Sequence, residues 1–340
     1  MVRRGVMLGC AILMGCSFDP GSFRSFGSDG APGPDAPEGA DSAPAPDVPP
    51  GAPDAAPVPD ALRPPDAALP DAGWDLGPFG TAGLTMGLNT YDNEDDPTLR
   101  GDMLEIYFNS DRPGGSGGGD IWRATRASVF DSWSGVENVA GVNTASTETT
   151  PELTADGLTL YFASDRAGGA GGTDIYRATR GSLAAAFDTP LRVTELCSAS
   201  NDFAAHEQPG GVLLYMGSNR AGGVGGLDVY RTFRVFVGTP WSSPSLLLEI
   251  DTTATDSDSW VDVLDTVIYF DSDRAGGMGG RDVWMATRGL TFGSPFGSIT
   301  AVSELNTTSD DMDPWLSPDQ RTIYFSTNRL VDEDIFVANR

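Results

Sequence analysis

The residues able to do chemistry are few. His206 is the only histidine in the chain, and no serine or cysteine stands in a fixed relation to it, which argues against a hydrolytic triad. The three cysteines, Cys10, Cys16 and Cys197, make neither a zinc spacing nor a disulfide framework. The Gly-Gly-x-Gly-Gly segments lie between strands and lack the lysine and the helix of a phosphate loop. Glycoside hydrolysis needs two carboxylates across one site, and Glu152 with Asp262 is the pair on offer. On these grounds the chain is expected to be non-catalytic.

Those residues acquire positions from a repeat. The phrase Leu160-Tyr161-Phe162-Ala163-Ser164-Asp165-Arg166, a glycine-rich loop, then Asp174-Ile175-Tyr176-Arg177-Ala178-Thr179-Arg180, occurs five times, with its tyrosines at 107, 161, 215, 269 and 324. Each unit opens on an aromatic: Phe79, Trp133, Phe187, Trp241, Phe296. A polar slot follows at Asn89, Asn143, Cys197, Asp251 and Asn306, then an acid at Glu94, Glu148, Asp202, Asp256 and Asp311. After the Pro slot (Pro97, Pro151, Ala205, Ser259, Pro314) come the Tyr-Phe strand and a polar-Arg pair. The pairs are Asp111-Arg112, Asp165-Arg166, Asn219-Arg220, Asp273-Arg274 and Asn328-Arg329. A second acid, Asp120, Asp174, Asp228, Asp282 or Asp334, precedes the closing Arg126, Arg180, Arg234, Arg288 or Arg340.

Each unit reads as four short strands separated by turn residues, with no helical periodicity of useful length. Four-stranded units repeated radially are β-propeller blades. The expected fold is therefore all-β, a five-bladed propeller of four-stranded antiparallel blades over residues 73–340. The strand of Phe79 to Leu88 should complete the last blade, because the unit ending at Arg340 lacks an outermost strand.

What recurs in every copy is read as scaffold: the polar-Arg pair and the second acid are turn and ion-pair chemistry. Function belongs where copies disagree. Directly after the Pro slot stand Thr98, Glu152, His206, Trp260 and Trp315, and two positions later Arg100, Thr154, Gln208, Asp262 and Ser317. The expected binding residues at the ring centre are Glu152, His206, Trp260, Trp315, Arg100 and Asp262. The competing reading packs the two tryptophans between blades. Cys197, in a slot otherwise held by Asn or Asp, reads as a structural variant. No cofactor is expected. The alternative is a Ca²⁺ crown built from Glu94, Glu148, Asp202, Asp256 and Asp311; against it, the paired arginines compete for the same carboxylates.

Ser164-Asp165-Arg166 after Leu-Tyr-Phe, with Leu316-Ser317-Pro318-Asp319 in the last unit, resembles the TolB-type, WD40-like β-propeller repeat. The long form with Gly-Gly-x-Gly-Gly and Asp-Ile-Tyr is similar to the version found in bacterial envelope lipoproteins. The resemblance covers residues 79–340. It departs at Glu207-Gln208-Pro209-Gly210 and at Leu330-Val331-Asp332-Glu333, and the six blades and extra domain of TolB itself are not matched. It implies a fold, a compartment and a bias towards protein binding.

The N-terminal stretch reads as an address. Arg3-Arg4 precedes an apolar run from Gly5 to Gly15, too short to span a bilayer. Leu13-Met14-Gly15-Cys16 resembles a bacterial lipobox, which implies a signal peptide over 1–15 and acylation of Cys16. Ser17 at the next position implies the outer membrane. Residues 16–72, rich in Pro, Ala and Asp, read as a disordered tether. Net charge is −27 and every basic residue is Arg, so neither nucleic acid nor anionic lipid is an expected partner, and membrane contact is through the anchor alone. The expected protein is a monomeric envelope lipoprotein whose propeller binds an envelope protein or a cell-wall or extracellular polymer. A lectin or glycosidase, and a calcium-stabilised structural propeller, are the alternatives.

Overall fold

The computed structural model describes residues 76–290 and 294–340. The expected signal peptide, Cys16 and the tether lie outside them. Among the described residues twenty strands form and no helix. Blade one is β2 (Glu94–Leu99), β3 (Glu105–Ser110), β4 (Asp120–Thr125) and β5 (Ser134–Asn138). Blade two is β6 (Glu148–Leu153), β7 (Thr159–Ser164), β8 (Asp174–Thr179) and β9 (Leu191–Arg192). Blade three is β10 (Asp202–Glu207), β11 (Leu213–Ser218), β12 (Asp228–Phe233) and β13 (Ser245–Leu246). Blade four is β14 (Asp256–Val261), β15 (Val267–Ser272), β16 (Asp282–Thr287) and β17 (Gly297–Ala301). Blade five joins β18 (Asp311–Leu316), β19 (Thr322–Thr327) and β20 (Asp334–Asn339) to β1 (Gly83–Leu84), in the order β1-β20-β19-β18. The first strand thus completes the last blade, as expected, through Gly83 opposite Val337 and Leu84 opposite Phe336. It is shorter than the Phe79–Leu88 segment suggests; only two residues enter the ladder.

The invariant residues explain why every unit folds alike. The Tyr-Phe strand is apolar on both faces because it is covered on both sides: Tyr107, Tyr161, Tyr215, Tyr269 and Tyr324 are at most 3% exposed. Burying each such ring contributes roughly 2–3 kcal/mol before its ordering entropy is subtracted. The second acid closes the glycine loop, as where Asp174 Oδ2 accepts the Ala170 amide at 2.7 Å. A side chain at Gly169 would strike that carboxylate, and one at Gly171 would strike backbone of the next blade around Ser200. Glycine is needed there for close approach rather than for a positive φ. Each closing arginine stacks on the aromatic that opens the following unit: Arg126 on Trp133 at 4.2 Å, Arg180 on Phe187 at 4.8 Å, Arg234 on Trp241 at 4.2 Å and Arg288 on Phe296 at 4.3 Å. Arg340 stacks on Phe79 at 4.2 Å and so repeats that contact across the closure.

One feature of the innermost strands is absent from the period-2 pattern. The register of β2, β6, β10, β14 and β18 against their partners shifts mid-strand, a β-bulge in each blade. The bulged residue has left-handed backbone in all five: Asp96 (φ 53°), Thr150 (44°), Ala204 (50°), Asp258 (38°) and Asp313 (52°). None is glycine, so the surrounding structure holds a conformation that these side chains disfavour.

Candidate functional site on the propeller axis

The five innermost strands surround two small cavities. One is lined by all five bulged residues together with Pro97, Pro151, Pro314 and Glu152, and has a volume of about 10 Å³. The other, of about 50 Å³, lies among the last residues of the same strands and the turns beyond them. His206, Trp260, Trp315, Leu99, Leu153 and Pro209 are among its lining.

Of the six residues expected at the ring centre, the structure brings four together. Glu152 lines the first cavity, and its Oε2 lies 3.3 Å from His206 Nδ1. Thr98 Oγ1 sits 3.5 Å from the same oxygen and accepts the Leu153 amide at 3.0 Å. The other imidazole nitrogen is 3.4 Å from the Val261 carbonyl oxygen, so both nitrogens are engaged. The His206 ring lies 6.2 Å from that of Trp260. Trp260 and Trp315 are packed as well as pocket-lining: each meets the tyrosine opposite it in its own blade edge-on, Tyr269 at 6.3 Å and Tyr324 at 6.2 Å. The tryptophans are thus held by packing within their own blades while part of each lines the cavity.

Arg100 and Asp262 depart from the expectation. Arg100 bonds Asp102 and Glu105, both at 2.8 Å, and belongs to the turn after β2. Asp262 accepts from Thr266 Oγ1 at 2.9 Å and from the Thr266 and Val267 amides. Each is the first residue after its strand, where the chain is already turning, and these side chains cap the turn. Asp262 is therefore committed to its own blade and does not stand opposite Glu152 as a second carboxylate.

The scaffold residues sit where their repetition places them. Glu94, Glu148, Asp202, Asp256 and Asp311 are fully buried, each ion-paired within its own blade to Arg112, Arg166, Arg220, Arg274 and Arg329 respectively. Each also accepts the amide four residues earlier, as where Glu148 Oε2 takes Thr144 N at 2.5 Å. Their oxygens face arginine, hydroxyl and amide donors and do not converge into a crown. Asp111, Asp165, Asn219, Asp273 and Asn328 each accept an amide eighteen residues earlier in the chain. Cys197 Sγ lies 3.2 Å from the Val193 carbonyl oxygen, and burial pushes its thiol up to about 12, the state of a packed, unreactive sulfur.

The acids that do converge are those of the bulge. Asp96, Asp258 and Asp313 place carboxylate oxygens within 4.8 Å of one another. Asp96 Oδ2 accepts from Thr149 Oγ1 at 3.0 Å and the Thr150 amide at 3.1 Å, and the Asp96 amide donates to Asp313 Oδ2 at 3.4 Å. Arg281, in the slot held elsewhere by Gly119, Thr173, Leu227 and Glu333, reaches in to pair with Asp271 and Asp258. Burial and the neighbouring Asp313 push the Asp258 carboxyl up to about 7 against the pull of Arg281, and burial likewise raises Asp95, Asp96 and Asp271. The slot reads Asp, Thr, Ala, Asp, Asp, so copies disagree here too; the bulge that turns it onto the axis is what the alternation of a regular strand does not reveal.

No family model and no curated protein matches the sequence. Among solved structures the chain is similar to a thermostable family-43 glycoside hydrolase, at 13% identity and a TM-score of 0.51, over 76% of this chain and 91% of that one. It is similar to the endo-arabinase from Bacteroides thetaiotaomicron at 13% identity and 0.50, over 76% and 97%. TolB from Acinetobacter baumannii matches at 17% identity and 0.47, over 74% of this chain and 55% of the TolB chain. At these identities the likeness is one of fold. It corrects the expectation of a non-catalytic chain: the same propeller architecture carries glycoside hydrolases, so neither the fold nor the lack of a triad excludes catalysis.

Proposed function

We propose that this protein is an envelope lipoprotein, anchored through lipid on Cys16 and held off the membrane by residues 16–72, whose propeller grips a partner at the aromatic end of its axis. The observation that carries the reading is the convergence of His206, Trp260 and Trp315 on one cavity, at a slot where the five copies carry four different residues. An aromatic wall with one buffered polar pair, His206 with Glu152, suits an apolar side chain or the apolar face of a polymer unit delivered by a larger partner. The small cavity volume fits an anchor group rather than a whole ligand, so the partner's remaining contacts fall on the surrounding turns. An envelope protein fits this best. A glycan is the second reading, favoured by two tryptophans lining one cavity, since sugar rings stack on aromatic side chains.

Two measurements test it. In membrane fractionation the wild-type chain sediments with the envelope and Cys16→Ser releases it to the soluble fraction; a variant that stays bound refutes the anchor. Cross-linked pull-down from an envelope extract captures one enriched partner with the wild type. Trp260→Phe with Trp315→Phe, checked for an unchanged melting curve, retains at least about tenfold less, the scale of losing an aromatic anchor. Equal capture by both chains refutes the aromatic site, and turnover or retention of a glycan in place of a protein moves the assignment to the second reading.

A further inference from the structure

A cleft of about 550 Å³ opens between blades two and three. Blade two lines it with Tyr161 of β7 and Arg177 of β8, and blade three with Glu207, Arg234 and Val237. Two of its charges are spent on each other. Arg234 Nη2 meets Glu207 Oε1 at 2.8 Å, and the Tyr161 hydroxyl donates to Glu207 Oε2 at 2.5 Å. Asp156, also in the lining, holds its own turn: Oδ1 accepts from Thr154 Oγ1 at 2.7 Å and from the Leu158 amide at 2.9 Å. Arg177 lines the cleft with no ion pair and no side-chain hydrogen bond among the described residues. The repeat shows what this arginine lacks. Arg123 holds the same slot in blade one, where two carboxylates meet it, Glu105 at 2.5 Å and Glu137 at 2.6 Å. Their counterparts in blade two are Thr159 and Leu191. Thr159 lines the cleft, and Leu191, opposite Arg177 in the ladder, is 66% exposed. The guanidinium therefore stands beside apolar surface without the anions its sister has.

A second feature lies on the other lip. Phe233 ends β12, and Val235, Phe236 and Val237 follow on the turn after it; all four are between 58% and 70% exposed. The slots of Phe233, Val235 and Phe236 hold Thr125, Ala127 and Ser128 in unit one and Thr179, Gly181 and Ser182 in unit two. The blade itself does not require this run. Val237 joins it to the cleft. Exposed apolar side chains grouped in this way mark a surface that another molecule covers. The cleft alone has the volume of a small-molecule site, but a small molecule inside it leaves Phe233, Val235 and Phe236 in water. A polypeptide covers both.

We propose that this cleft and turn dock a polypeptide segment in which an Asp or Glu side chain is flanked by large apolar ones. The carboxylate takes Arg177, in the two-bond geometry that a guanidinium offers. The apolar neighbours take Leu191 and the Phe236 turn. The charge complementarity is local. The chain as a whole is acidic, so the segment is selected by one guanidinium at a cleft rather than by long-range attraction. The proposal does not depend on the partner at the aromatic end, although Ala155, Glu207 and Pro209 line both cavities.

The test uses the purified full chain and a phage-displayed library of random dodecapeptides. Selection enriches peptides that carry Asp or Glu next to Leu, Phe or Trp. Fluorescence anisotropy of one such peptide then gives its Kd. Arg177→Gln weakens binding about tenfold, and so does changing the peptide's acid to its amide. The two changes together cost little more than either, since they remove one contact. Phe236→Ser weakens binding about fivefold with an unchanged melting curve. Trp260→Phe with Trp315→Phe leaves the Kd within about twofold, which separates this site from the aromatic one. The proposal is overturned if no acidic motif is enriched, or if Arg177→Gln binds the peptide as tightly as the wild type. A peptide lost only by the tryptophan variant is of that second kind and belongs to the aromatic end. Sedimentation showing a dimer that Phe236→Ser dissolves also overturns it, because the turn then belongs to a second copy of the chain.

Discussion

Replacing Asp251 with asparagine raises the stability of the propeller at pH 8 by about 3–5 kcal/mol and changes it little near pH 4. The reason is visible in its sister residues. Asn143 and Asn306 each accept a backbone amide and donate Nδ2 to a carbonyl of the same residue, Ile121 and Val283 respectively, at 2.8–3.0 Å. Asp251 reproduces half of this: Oδ1 accepts the Val229 amide at 2.9 Å, while Oδ2 is buried with no partner. Only the protonated acid can donate there. Burial, with repulsion from Asp228 and Asp256, pushes the carboxyl up to about 8 against the Val229 bond. The folded chain thus keeps this proton up to about pH 8, whereas the unfolded chain releases it above about pH 4. Unfolding between those limits releases a proton, so wild-type stability falls as pH rises from about 4 to 8, and asparagine abolishes that slope. Denaturant unfolding of both chains at pH 4.5 and pH 8 measures it; an equal difference at the two pH values refutes the account.

Glu105→Gln acts in the opposite direction and on a similar scale, costing about 3–5 kcal/mol at pH 7. Glu105 is 1% exposed and collects three arginines, Arg100 at 2.8 Å, Arg123 at 2.5 Å and Arg180 at 2.8 Å, with the Tyr107 hydroxyl at 2.9 Å. Arg180 belongs to the second unit, so this carboxylate bonds blade one to blade two. Burial on its own would raise its pKa, but the bonds from Arg180 and Arg123 outweigh that and hold it at about 2. A depressed carboxyl contributes its stability above its unfolded pKa near 4.5 and loses it as pH falls towards 2, so the deficit of the variant shrinks over that window. Glu137→Gln is the control. Glu137 pairs with the same Arg123 but its side chain is 60% exposed, and its loss should cost no more than about 0.5 kcal/mol. A Glu105→Gln chain as stable as that control overturns the argument.

The blades were legible because each had to solve the same packing problem, and the solution is written five times: the buried tyrosine, the acid paired with its arginine, the arginine stacked on the next aromatic. The aromatic end of the axis was legible for the converse reason. Thr98, Glu152, His206, Trp260 and Trp315 occupy one slot with unlike chemistries, and identical scaffold gives no cause for that. Arg100 and Asp262 lie two residues further on, where strand has become turn, and spacing alone does not mark that change. Asp96, Asp258 and Asp313 were overlooked because regular alternation assigns their slot a direction that the bulge reverses. Glu105 stands in a slot otherwise held by Thr159, Leu213, Val267 and Thr322; its three arginines come from separate positions in the chain, and only the folded ring brings them to one carboxylate.

The junction of β1 with β20 sets the order in which the molecule assembles. Blades one to four each form from a contiguous stretch of chain, so their hairpins close short loops. The fifth waits for segments 246 residues apart, as in the paired bonds between Asn89 and Ile335, and loop closure over such a distance is slow. The ladder gained there is two residues long, against six-residue hairpins within the units. The outermost strands β9 and β13 are held by ladders equally short, but this one alone joins distant segments, so amide exchange and unfolding should begin at this seam, with the other four blades still intact when it parts.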